Sequence, residues 1–152
     1  MIQIDAALAD AIRQHAEREY PHECCGVLLG QLSDGPNPLE EIRKVTALHS
    51  VPNSWGEGSE TRYLIAPDTM FELLTRERLG EFVILGFYHS HPDHPALPSV
   101  TDRDWAAPWY TYMIVSVPGG RSAKLSAWQL DEDGQSFINE TVELLPAGGS
   151  EP

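Results

Sequence analysis

Lysine is nearly missing from this chain: Lys44 and Lys124 are the only two in 152 residues. Lysine and arginine together number 10 against 23 aspartates and glutamates, a net charge of −13. A surface of that sign repels nucleic-acid phosphates, and no basic stripe offsets it, so nucleic acid is excluded as a partner. Long apolar runs are missing too. None approaches the roughly 20 residues needed to cross a bilayer, which excludes a membrane-spanning helix. The opening Met1-Ile2-Gln3-Ile4-Asp5 lacks the basic start and apolar stretch of a secretory signal, so a cytoplasmic location is expected. Cysteine occurs only as the adjacent pair Cys24 and Cys25. Neighbours on a strand point to opposite faces, and no Cys-x-x-Cys spacing is present. A disulfide and a cysteine zinc site are both disfavoured, and two reduced core thiols are expected. The acid excess with so little lysine would suit a salt-rich cytoplasm, where ions screen self-repulsion.

What is present is one globular domain. A hydrophobic content of 41% over this length is enough for a single core. The expected division is a domain over residues 1–145 and a flexible tail over 146–152. Ile2 and Ile4 alternate as in a short edge strand. Asp5 can cap a helix over Ala6–Glu19 whose apolar stripe runs Leu8, Ala11, Ile12, Ala16 and Tyr20, with Pro21 ending it. Cys24–Leu32 reads as a central strand buried on both faces, and a second strand follows over Glu40–His49. Pro52–Glu60 reads as an exposed, mobile loop and Thr61–Ala66 as a strand. Pro67 opens a helix that Gly80 closes, with Met70, Leu73 and Leu74 facing inward. Phe82–His89 is another apolar strand, and a short helix starts near Thr101. Three further strands are expected near Tyr110–Val117, Lys124–Leu130 and Ser136–Leu144. The sum is an α/β or α+β sheet of about seven strands with two principal helices packed on it.

Chemistry concentrates in His89-Ser90-His91-Pro92-Asp93-His94-Pro95-Ala96-Leu97-Pro98-Ser99-Val100-Thr101-Asp102. Strand periodicity turns His89 and His91 to one face, and Asp102 can add an oxygen from the first turn of the next helix. Three protein ligands leave a fourth tetrahedral position open, the pattern of a catalytic zinc site. Zinc lowers the pKa of bound water from about 15.7 to around 7. Such a site still needs a proton carrier and a donor for the oxyanion. Taken alone, His-x-His is equally a pair of histidines at a strand end.

The whole arrangement is more specific. His-Ser-His, seven residues, Ser99, two residues and Asp102 resembles the JAMM/MPN+ metallopeptidase signature at every position, with the Gly-Phe-Tyr lead-in of its bacterial members. The signature's remote Glu is matched by Glu23 within Tyr20-Pro21-His22-Glu23-Cys24-Cys25-Gly26-Val27-Leu28-Leu29-Gly30. The resemblance implies a cytidine-deaminase-like JAMM/MPN fold, a curved mixed sheet flanked by two principal helices, with a short helix after the metal motif. It implies one Zn²⁺ per chain on His89, His91 and Asp102. Glu23 would be the proton carrier and Ser99 the oxyanion donor, although Ser99 can also cap the helix that bears Asp102. His94 and Asp93 read as solvated loop residues, His22 as exposed, Asp104 as turned away, and His15 as a satisfied histidine on the inner edge of the first helix.

The resemblance also implies a substrate: a ubiquitin-like or sulfur-carrier protein with a Gly-Gly C-terminus, cut at a peptide or isopeptide bond. Such a tail would enter extended, by strand addition, and the loop Asn53–Glu60 with Trp55 could fold over it. The chain's own Gly148-Gly149 resembles such tails, and chance explains it better than self-processing. A cytidine-deaminase chemistry would need His-x-Glu and Pro-Cys-x-x-Cys, which are absent. An amidohydrolase barrel would need roughly 250 residues. The remaining rival is a non-catalytic MPN-type scaffold that binds a protein partner. The sequence leaves monomer and homodimer both open.

Overall fold

The computed structural model describes residues 1–147. The Gly148-Gly149 pair and most of the expected tail lie outside the described residues. In chain order the elements are β1 (Ile2–Asp5), α1 (Ala6–Glu19), β2 (Cys25–Asp34), β3 (Glu41–Val51), α2 (Pro67–Arg78), β4 (Val83–Pro92) and α3 (Val100–Trp105). Then come β5 (Thr111–Val117), a 3₁₀ turn at Pro118–Gly120, β6 (Leu125–Leu130), β7 (Phe137–Glu140) and β8 (Val142–Leu145). They form one eight-stranded mixed sheet in the order β7-β6-β5-β4-β2-β3-β1-β8.

The last expected strand is in fact two. β7 pairs antiparallel with β6 and β8 pairs parallel with β1, so Thr141 alone joins opposite edges of the sheet. Two Cα steps reach only about 7 Å, so the sheet must curl until its edges meet at that corner. The split adds a strand that was not expected, so the sheet has eight where about seven were expected even though Thr61–Ala66 joins none of them, and it is why β1 is flanked on both sides instead of forming an edge. Ile2 and Ile4 are fully buried there. A chord of polar contacts spans the curl. Arg43 of β3 donates from Nη1 to the Leu85 carbonyl on β4 and to Thr111 Oγ1 on β5, both at 3.1 Å. Thr111 in turn donates to Glu140 on β7 at 2.8 Å.

The helices cover the two faces. α1 starts where Asp5 Oδ1 accepts from the Ala7 N–H at 2.7 Å. It buries Ala9, Ile12 and Ala16, with Leu8 and Tyr20 packed beside them. Ala11 is exposed, because the stripe centres one residue away from the expected line. α1 rests on Leu28, Leu85, Tyr88, Met113 and Val115. His15 meets Tyr88, its Nδ1 lying 2.9 Å from the phenol oxygen, so it is satisfied as expected. α2 begins at Pro67 and is closed by Gly80 at φ +83, and it seals a second core of Val27, Leu29, Ile84, Phe87 and Tyr112 through Leu73. Met70 packs there too, whereas Leu74 is 40% exposed.

Thr61–Ala66 is not a strand. It leads into α2 and joins no ladder, since Leu64 is held by the preceding loop instead. β2 is buried only from Cys25 to Gly30, and its far end projects into solvent. Cys24 and Cys25 are buried free thiols, and only Cys24 joins the core under α1. Burial pushes both thiols up to about 12, which leaves them inert.

Candidate metal centre

The pleat of β4 sorts the motif. Phe87, His89 and His91 turn to the α2 face, while Tyr88 and Ser90 turn to the α1 face. Cys25 lies directly across from His89, and the Ser90 N–H donates to the Cys24 carbonyl at 3.2 Å. That extra rung brings Glu23 alongside His91, on the histidines' face. Ser90 Oγ accepts from the Cys24 N–H at 2.8 Å, so the hydroxyl between the histidines staples β4 to the segment that carries Glu23.

Three side chains converge. His89 Nε2 and His91 Nε2 are 3.1 Å apart, His89 Nε2 is 3.1 Å from Asp102 Oδ1, and His91 Nε2 is 3.2 Å from Asp102 Oδ2. A tetrahedral ion with arms of about 2.0 Å sets its ligands roughly 3.3 Å apart. Each contact is close to that spacing, with one Asp102 oxygen facing each histidine nitrogen, and one ligand atom from each residue lies within 4.8 Å of the others, so the residues fit a small divalent metal. The His91 Nδ1–H donates to the Pro95 carbonyl at 2.8 Å, which fixes the tautomer and leaves Nε2 for a ligand. His89 is fully buried, with Tyr63 stacked on its ring at a centroid distance of 4.6 Å, and among the described residues its Nδ1 has no partner.

Asp102 is held from its own helix. Ser99 is the N-cap of α3: its Oγ accepts from the Asp102 N–H at 3.0 Å, and its N–H donates to Asp102 Oδ2 at 2.8 Å. The Ser-x-x-Asp spacing is therefore a capping box with a metal-type ligand as its third helical residue. Burial alone would push the Asp102 carboxyl up, but the charges and hydrogen bonds of His89, His91 and the Ser99 N–H hold it well below the ordinary range. Burial pushes His89 down. His91 is raised, because its bonds to Asp102 and Pro95 outweigh burial. Glu23 is 4% exposed, and burial lifts its carboxyl to about 8, opposed by the charge of His91 and helped by that of Asp102.

This geometry can be set beside known proteins. The model of prokaryotic homologs of the JAB domain matches residues 5–131. The chain belongs to that family. A desampylase of Haloferax volcanii is 37% identical over 129 residues, covering 84% of each chain. A probable TtuB-protein conjugate cleaving protease of Thermus thermophilus is 29% identical over 85% of this chain and 79% of its own. A CysO-cysteine peptidase of Mycobacterium tuberculosis is 30% identical over 84% of this chain and 81% of its own. Among solved structures, a protein of Desulfitobacterium hafniense superposes with a TM-score of 0.77 at 26% identity, covering 96% of this chain and 94% of that one. The JAMM/MPN+ resemblance read from the motif and the JAB family thus agree.

In this JAB-family chain all five expected positions fall within one region, and the demoted residues fall outside the cluster. His94 and Asp104 are exposed, and His22 is half-exposed, its Nδ1 2.7 Å from Ser59 Oγ. Asp93 is exposed but not merely solvated. At φ +59 it accepts from Tyr20 Oη and from the Gly119 N–H, which pins the turn after His91. No motif or spacing singles out Tyr63, which sits in a segment that reads as a strand, or Asn53. An apolar cleft of about 400 Å³ opens beside Asp102, with Trp55, Tyr63, Ile65, Phe87, Trp105 and Tyr110 among its walls. Within the described residues, no helix is long and apolar enough to cross a membrane.

Proposed function

We propose that this chain is a zinc-dependent peptidase or isopeptidase that hydrolyses the bond following the C-terminal Gly-Gly of a ubiquitin-like or sulfur-carrier protein. The carrying observation is the convergence of His89, His91 and Asp102 ligand atoms within 4.8 Å, next to the buried carboxyl of Glu23. The names of two relatives, a probable TtuB-protein conjugate cleaving protease and a CysO-cysteine peptidase, support the substrate class.

His89, His91 and Asp102 would hold one Zn²⁺, which when bound supplies Lewis acidity to polarise the scissile carbonyl and activate water. Glu23 takes a proton from the attacking water and delivers it to the leaving amine. The Ser99 hydroxyl accepts from Asp102 as a cap, which leaves its hydrogen free to donate to the oxyanion.

The tail cannot enter by adding to the sheet. β4 is separated from the β7 edge by β5 and β6, and from the β8 edge by β2, β3 and β1. At roughly 4.8 Å per strand, either edge is well over 10 Å away. Support for an extended tail comes instead from residues 61–66. Among the described residues no partner is found for the backbone groups of Tyr63 and Ile65, and both side chains line the cleft. An extended tail can pair there, with the loop Asn53–Glu60 and Trp55 above it.

The test is to incubate the protein with carrier fusions extended beyond Gly-Gly and to weigh the products, with zinc measured per chain. Glu23→Gln should retain zinc and lose about 10²–10⁴ in turnover. A metal-free protein that cuts no fusion would instead favour the scaffold reading, and full activity in Glu23→Gln would take the proton-carrier role away from Glu23.

A further inference from the structure

Glu23 precedes β2 by two residues, so neither of its peptide groups is held by the sheet's ladders. Both are held by one loop. Its N–H donates to the Ser59 carbonyl at 2.8 Å, and its carbonyl accepts from Asn53 Nδ2 at 3.0 Å. Asn53 is the hub of that loop. Its Nδ2 also donates to the Arg62 carbonyl at 2.9 Å, while its Oδ1 accepts from the Trp55 N–H at 3.0 Å and the Leu64 N–H at 3.1 Å. All four hydrogen-bonding positions of the amide are thus used, and a reversed amide would face donor to donor and acceptor to acceptor. Ser54 N–H to Leu64 carbonyl at 2.9 Å closes the loop's neck, and Arg62 lies over the Trp55 ring.

The same loop and its continuation supply Trp55, Arg62, Tyr63 and Leu64 to the cleft wall, and Tyr63 stacks on His89. One cross-tied segment therefore touches the proton carrier, a metal-ligand histidine and the substrate cleft. We propose that Asn53 is a positioning residue: it ties the cleft wall to the backbone of Glu23 and fixes the aim of that carboxyl. This rests on the reading of Glu23 as the proton carrier. Among the other side chains only glutamine carries the same amide, one methylene farther from the backbone. Aspartate has no donor for the Glu23 and Arg62 carbonyls, and alanine has neither donor nor acceptor.

The discriminating variant is Asn53→Asp, which keeps an acceptor for Trp55 and Leu64 but turns the tie to Glu23 into a repulsion. Asn53→Ala removes both sets of contacts, and Asp10→Ala, an exposed change on α1 away from the loop, is the control. Hydrogen exchange of the Glu23 amide, whose N–H is bonded to Ser59 of the same loop, followed by NMR in the full chain, reads how firmly the loop that Asn53 ties sits on Glu23, without any substrate. In Asn53→Asp it should speed up by at least about tenfold while the Val27 and Ile114 amides in the sheet keep their protection. With a Gly-Gly fusion as substrate, kcat should fall about 10- to 100-fold, with KM changed less than about threefold and zinc content unaltered. Asp10→Ala should match the parent on every count. Unchanged exchange at Glu23, or an effect confined to KM, overturns the proposal. A parent protein that binds zinc but cuts no fusion would refute the peptidase reading instead, and the exchange data would still decide whether Asn53 holds Glu23.

Discussion

Ser99 offers a sharp separation between a structural and a chemical role. Its Oγ caps α3 through the Asp102 N–H at 3.0 Å, and the reciprocal arm, from the Ser99 N–H to Asp102 Oδ2, belongs to the backbone and survives substitution. Removing the cap with alanine should cost about 1 kcal/mol, which corresponds to roughly fivefold in zinc affinity if all of it falls on the placement of Asp102. Glycine at an N-cap costs only a few tenths of a kcal/mol, or less than about twofold. An oxyanion donor carries a much larger effect, about 10²–10³ in kcat. Ser99→Ala and Ser99→Gly should therefore lose about the same large factor in kcat. Their zinc affinities, measured by chelator competition, should fall in the order parent, glycine, alanine, within fivefold overall. Turnover is read on a Gly-Gly fusion with zinc saturating. If Ser99→Gly keeps kcat within about fivefold of the parent, the hydroxyl only caps the helix and the chemical role is refuted.

Gly26 lies opposite Tyr88, and a Cβ there would run into the Tyr88 ring. Gly26→Ala should cost about 1–3 kcal/mol in urea unfolding and loosen α1, which Tyr88 anchors through His15. Arg43→Ala leaves the Leu85 carbonyl and Thr111 hydroxyl without their partner inside the curl, and should destabilise by about 2–4 kcal/mol, well above any exposed arginine such as Arg78. If the −13 net charge is an adaptation to high salt, the melting temperature should rise on going to molar KCl, and a flat or falling trend counts against it.

The parts of the fold that the sequence made legible are those fixed by local chemistry. Asp5, Pro67 and Gly80 bound the two long helices because capping, proline and a left-handed glycine act within a turn. The site was legible for a similar reason: the period of two places His89 and His91 together whatever surrounds them, and Ser-x-x-Asp is a local capping unit. What stayed hidden depends on distant partners. Thr61–Ala66 carries strand-like residues, but strand identity requires a neighbour, and none pairs with it among the described residues. Ser136–Leu144 has one continuous pattern, yet its halves serve opposite edges, and only the closure of the curl breaks it at Thr141. Asn53 lies in a stretch whose composition reads as surface loop. A single amide with four backbone partners leaves no periodic trace.

The seam between β1 and β8 bears on how the chain is made. Synthesis delivers β1 before the other strands of the sheet and β8 after them, and until Val142–Leu145 arrives β1 presents an open row of N–H and C=O groups beside the buried Ile2 and Ile4. Every residue of the metal centre has by then left the ribosome, since Asp102 precedes β6, β7 and β8. The nascent chain thus passes through an interval in which its metal-binding half is complete but its sheet is unsealed and able to template pairing with a neighbour. The four residues of β8 cover the β1 edge and leave only a short edge of their own in its place.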